Sequence, residues 1–169
     1  DLSSAFWNPA AFGIAGNGLE TASAYSLILA DTELSNGVTS TPLGPQPIGG
    51  DTGADIDKPG ILSSSYAAYR INDKMVFGVS ISSPFGLATD PDPETWTGRV
   101  HGQEASMLTF NATPTIAYEI APGVHIAAGL QLQYMKLKLW FASAAAPGAP
   151  SASLKVDDTI GIGATAGIL

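Results

Sequence analysis

A chain of 169 residues is long enough for one ordinary domain, but only 13% of it is charged, against about 25% in typical globular chains. The formal net charge of −8 argues against nucleic acid and against electrostatic docking on anionic lipid, and with no cysteine neither a disulfide nor a Cys metal site can carry the fold. Mean hydropathy is positive, +0.19, yet no run approaches the ~18 consecutive apolar residues of a transmembrane helix, so apolar residues are interleaved with small polar ones. Asp1 opens the chain with no basic region and no apolar run after it, as expected of a mature, trimmed or fragmentary chain.

Period-two alternation predicts six strands. The first runs from about Leu19 to Ala30, with Tyr25, Leu27 and Leu29 opposite Ala24 and Ser26. The second covers Ile61 to Arg70, where Leu62, Tyr66 and Ala68 alternate with serines and alanines. The third sets Met75, Phe77, Val79 and Ile81 against Val76, Gly78, Ser80 and Ser82, is interrupted by Ser83-Pro84-Phe85-Gly86, and resumes with Leu87-Ala88-Thr89. The fourth, near Ser106 to Ile120, puts Leu108, Phe110, Ala112, Ile116, Tyr118 and Ile120 on one face and Thr109, Asn111, Thr113, Thr115 and Glu119 on the other; Pro114 reads as a bulge. The fifth alternates from Val124 to Tyr134 and the sixth from about Leu154 onward, its Ile160, Ile162 and Ile168 set against Gly161, Gly163 and Gly167.

The connections alternate in length. A long loop, Asp31 to Lys58, is followed by the tight turn Ile71-Asn72-Asp73-Lys74. A longer loop, Asp90 to Gln103, precedes the short turn Ala121-Pro122-Gly123, and a medium loop runs from Ala142 to Ser153. Long and short connections on opposite rims are the pattern of a membrane barrel. Several segments reach the ~9–11 residues a transmembrane strand needs, and Tyr118 and Tyr134 sit near the ends of apolar stripes, where interface aromatics belong. A soluble sandwich would give the same alternation, but long strands, low charge and the loop pattern favour the barrel. Six strands fall short of the eight of the smallest barrels, and Leu169 falls in mid-strand, so the expectation is the N-terminal part of something larger.

Two motifs, FWNPAAF at 6–12 and SSPFGLATD at 82–90, together with the alternating run 104–134, resemble the FadL/TodX family of outer-membrane transporters for long-chain fatty acids and hydrocarbons. The resemblance implies an all-β fold, a fourteen-stranded antiparallel transmembrane barrel with an N-terminal hatch. Residues 1–17 would be the latter part of the hatch, carrying Asn8, Pro9 and Ala10, and 18–169 would form the first six strands. It also implies a strand-three kink at Ser83, Pro84, Phe85, Gly86 and Leu87, through which hydrophobic ligand leaves sideways into the membrane. From spacing alone Pro84 is read equally as the end of the strand at the outer rim; the resemblance favours the kink. Phe85 and Leu87 would line it, and Asn8 is expected to cap its freed backbone groups.

After Tyr134 the apolar phase changes: Lys136 and Lys138 continue the outward face, while Leu137, Leu139 and Phe141 point to the lumen side. Three readings stay open: a lining for a greasy ligand, packing under a loop, or a bulge that restores the phase. With apolar residues at the inward positions, a neutral hydrophobic substrate is slightly favoured over a carboxylate. The expected partners are hydrophobic small molecules and outer-membrane lipid, with no cofactor. No catalysis is expected: His101 and His125 lack a matching Ser or Asp motif, and Asp51, Asp55 and Asp57, like Asp90, Asp92 and Glu94, read as solvated acidic loops. An outer-membrane lipid hydrolase and a structural or adhesive barrel are the alternatives.

Overall fold

The computed structural model describes residues 1–41, 44–46, 51–92, 95–142 and 150–169; Glu94 and the central part of the loop after Ala142, residues 143–149, lie outside the described residues. Two 3-10 turns, η1 (Leu2–Phe6) and η2 (Pro9–Ile14), open the chain. The strands that follow are β1 (Leu19–Ile28), β2 (Glu33–Leu34), β3 (Thr39–Thr41), β4 (Gly44–Gln46), β5 (Ala54–Asp57), β6 (Gly60–Arg70), β7 (Met75–Ser82) and β8 (Gly86–Asp92). A 3-10 turn, η3 (Thr97–Val100), precedes β9 (Glu104–Ala121), β10 (Val124–Ala142) and β11 (Ser151–Ile168).

All strand pairs are antiparallel. The wall runs β1, β6, then β7 continued by β8, then β9, β10 and β11, while β3 and β4 form a separate hairpin. Those six lanes are the six alternating segments of the sequence. Strands β9 to β11 are 18, 19 and 18 residues long, more than a bilayer requires, so their upper ends reach the rim that carries the long connections. No described helix is long and apolar enough to cross a membrane.

Burial inverts the arrangement of a soluble protein. On β9 the apolar face is exposed, with Phe110 at 45%, while the opposite face carries Thr109 and Thr115 at 1% and 2%. On β7 Phe77 and Ile81 are exposed, and Val76 and Gly78 on the opposite face are buried. A sandwich would bury the large apolar set. A sheet whose greasy face is bare and whose small, polar face is covered is built to have hydrocarbon as its outer solvent.

The cover is the N-terminal segment. Asn8 caps η2, its Oδ1 accepting from the Ala10 amide at 3.0 Å, and Pro9 occupies the first turn, where a missing N–H costs nothing. Leu2, Ala5, Ala10, Ala11, Phe12 and Ala15 then form one core with Tyr66, Ala68, Val76, Ala117 and Ala127 of the wall. Small wall residues make room for this: a methyl group on Gly78 would overlap the Phe12 ring, and one on Gly13 would lie 2.6 Å from Nδ1 of His125. Burying Phe12 contributes about 1.5–3 kcal/mol. Arg70 ties the segment down, its guanidinium donating to the carbonyls of Gly13 and Ala15 at the end of η2. Gly78→Val should therefore cost about 1–3 kcal/mol through overpacking. Hydrogen exchange should show residues 2–15 losing protection while the strands keep theirs; unchanged protection would mean that Gly78 is not a seat for Phe12.

Candidate functional site: an unzipped seam in the wall

The Pro-Gly interruption leaves one neighbour intact and releases the other. Toward β9, Ser82 faces Asn111 and Gly86 faces Leu108. Three residues (83, 84, 85) therefore stand against two (109, 110), and the surplus of one defines a β-bulge. Pro84 does not end the strand, since pairing with β9 resumes at Gly86 and runs to Thr89. Toward β6, pairing stops after Ser64 faces Ser82, with one further bond from the Ser83 amide to the Ser63 carbonyl at 3.0 Å.

Pairing returns higher up, where Asp57 of β5 faces Thr89 of β8. From Ser63 to Asp57 is six residues, and from Ser83 to Thr89 is also six, so the register is the same on both sides of the gap. The unpaired stretches are thus 58–62 and 84–88, facing each other over about 20 Å of strand. Each contains a proline, Pro59 and Pro84, that has no N–H to donate, and the register sets Gly60 opposite Gly86. At that middle position there is no side chain, and a methyl on Gly86 would lie 3.3 Å from a Leu62 methyl and 4.0 Å from Ser83 Oγ. Ile61 and Phe85 beside the seam are exposed. Lys58 and Asp90 form an ion pair across its upper end. The Asp90 hydrogen bond and charge raise the Lys58 ammonium above its ordinary value.

Thr109 holds the bulge. Its Oγ1 accepts from the Phe85 amide and donates to the Phe85 carbonyl, both at 2.9 Å, and its amide donates to that carbonyl at 3.0 Å. Its own carbonyl accepts from Ser83 Oγ at 2.7 Å. Backbone groups freed in hydrocarbon must find partners within the protein or in water, and Thr109 provides them. The expectation that Asn8 does so is corrected here. Asn8 Nδ2 donates to the Ile168 carbonyl at 2.9 Å, and Asn8 packs against Gly167, where β11 carries no side chain. Asn8-Pro9-Ala10 is therefore seated at the short-turn end of β11, away from the seam.

Pro114 is also corrected: Gly129 faces Thr115 and Leu132 faces Ala112, so the register is unshifted and no residue is inserted. Leu137, Leu139 and Phe141 lie on the inner face by register, since Leu137 faces Met107 and Leu139 faces Ala105 while Lys136 faces Leu108 of the outer face. The bulge here is on β11, which places an extra residue between Val156 and Thr159; β10 itself continues unbroken against β9. Near the inner rim lies a half-open recess of about 260 Å³, lined by Leu34, Ile56, Pro91, Trp96, His101 and Ala105. Trp96 Nε1, buried without a partner, is the polar atom there that sequence reasoning missed. The acidic residues Asp51, Asp55 and Asp92 line a wider rim recess with Asp31 and Glu33, and no group of three or more His, Asp or Glu that could hold a metal occurs among the described residues.

A wall of long antiparallel strands, greasy outside and plugged inside, defines a transmembrane β-barrel protein. The chain belongs to the outer membrane protein transport protein family (OMPP1/FadL/TodX), whose family model matches residues 1–167; it is an outer-membrane transport family, not a class of enzymes. Among solved structures the fold matches that of a FadL homologue from Pseudomonas aeruginosa, with a TM-score of 0.76 and 20% identity over 99% of this chain. The chain spans 44% of the length of that structure. No match was found among curated proteins.

Thr109→Val keeps the shape and removes the hydroxyl that serves Phe85, and should cost about 1–3 kcal/mol. Urea unfolding should register the loss and Thr109→Ser should restore most of it; a Val variant as stable as the parent would show that water serves Phe85 equally well.

Proposed function

We propose that this chain supplies the hatch and first six wall strands of an outer-membrane channel for hydrophobic compounds, long-chain fatty acids or hydrocarbons. Residues 1–17 act as the hatch and block the lumen at the short-turn end. Ligand enters at the loop rim, diffuses passively along an inner face lined by Leu137, Leu139 and Phe141, and leaves sideways into the membrane at Ser83 to Leu87.

The observation that carries this reading is the seam, paired above and below in one register and unpaired between. An ordinary wall gains nothing from two prolines and a facing pair of glycines within one short stretch, since each removes a ladder bond or a packed side chain. A lateral exit needs those omissions: it must part without breaking hydrogen bonds and present apolar edges to an apolar solute. The lower end of the seam, at Ser82, lies in the lane that passes through Asn111 and Gln133, between the outward Leu132 and Tyr134. The seam therefore starts within the apolar band, and its Gly86 level reaches Lys136. A solute leaving there would enter the outer half of the membrane.

Replacing 83–87 by an alternating stretch without Pro or Gly, one residue shorter to remove the bulge, should zip the seam. Uptake of a labelled fatty acid or alkane should be lost while heat-modifiable gel migration still reports a folded barrel. Uptake at the parental rate in that folded variant would overturn the lateral route.

A further inference from the structure

On the outward face, just above the apolar band, the wall carries a basic and aromatic cluster that transport does not use. Register places Lys138 directly opposite Lys155, an arrangement that is destabilising unless something negative lies between the two charges. Both ammonium groups hang over the Trp140 ring, at 5.2 Å and 5.6 Å from its centre. Glu104 neutralises Lys138 through both oxygens, at 2.7 Å and 2.8 Å, and Asp157 takes Lys136 at 3.4 Å. Among the described side chains Lys155 has no carboxylate partner. Trp140 Nε1 is buried with no acceptor. Beside these groups lies a groove of about 280 Å³ lined by Asp90, Gln103, Glu104, Lys138, Trp140 and Ser151.

We infer that this groove binds the phosphorylated sugar headgroup of a glycolipid in the outer leaflet of the membrane. A phosphate monoester supplies a negative partner for Lys155 beside the Lys138–Glu104 pair, and an acceptor for Trp140 Nε1. Hydroxyl-rich sugar matches the other side of the groove, where Asp90 and Glu104 accept and where Gln103 and Ser151, bonded to each other at 2.8 Å, offer both donors and acceptors. The depth fits as well: below Lys136 the outward residues of β10 are Tyr134, Leu132 and Leu130, which suit acyl chains, and interfacial Trp and Lys belong at the headgroup level. The net charge of −8 does not oppose this, because many of the carboxylates, such as Asp31, Glu33, Asp51, Asp55 and Asp92, lie in the rim recess rather than on this face.

The test uses the full chain purified in mild detergent and stripped of lipid. It is titrated with a diphosphorylated diglucosamine lipid, with the same lipid dephosphorylated, and with inorganic phosphate, and Trp fluorescence and native mass spectrometry report binding. One diphosphorylated lipid should bind per chain, and the Lys138→Gln/Lys155→Gln variant should bind about thirtyfold more weakly. Lys74→Gln, on the opposite rim, should bind as the parent does. Equal binding of the dephosphorylated lipid, unchanged affinity in the folded double variant, or displacement of the lipid by millimolar inorganic phosphate would each overturn the assignment.

Discussion

In hydrocarbon, no backbone N–H or C=O can be left without a partner, and this constraint governs the rest of the structure. It explains why the described wall is built of paired strands, why neighbouring lanes hold register over most of their length, and why the break in pairing at the seam is so closely managed. At the seam the chain meets the constraint in two ways. Proline removes donors that would otherwise point into the gap, and Thr109 serves both polar groups of Phe85. The bulge that results is local on one side and permissive on the other: β9 is kept as a partner, β6 is released.

The same physics inverts the distribution of side chains. Large apolar residues face outward because the outer solvent is apolar, and the inner face beneath the N-terminal segment is left largely to small residues such as Ala68, Gly78, Thr115 and Ala117. Those small residues would leave a void were it not for the N-terminal segment, and they determine how closely it can approach. Phe12 sits where Gly78 has no side chain, and the His125 side chain occupies the space that Gly13 leaves open. The segment is held by packing, by Arg70 and by the hydrogen bond from Asn8 to Ile168 rather than by strand pairing.

Much of this was legible in the sequence. Six alternating segments gave six lanes, and the break after Ser82 marked the place where pairing changes, because Pro and Gly announce themselves in an otherwise regular strand. The other half of the seam was not legible. Pro59 and Gly60 sit in a stretch that reads as loop, and the alternation of Ala54–Asp57 is only four residues long, too short to stand out in a Gly, Pro and Asp-rich segment; only the resumed register with β8 shows that β5 and β6 are one lane interrupted. Thr109 looked like one of several threonines on a polar face, since a bulge holder is recognised by what lies opposite it. The role first given to Asn8 failed for the same reason: a good capping residue is visible in sequence, but its partner 160 residues away is not.

The central claim is that the seam between 58–62 and 84–88 opens for passage, and a covalent clasp tests it directly. The chain has no cysteine, and Gly60 and Gly86 face each other in register, so Gly60→Cys and Gly86→Cys together place two thiols across the gap. Uptake of a hydrophobic solute should stop when that disulfide forms and return when it is reduced, with each single variant unaffected. Transport at the same rate in the oxidised and reduced forms, with the disulfide confirmed by mass spectrometry, would contradict the account.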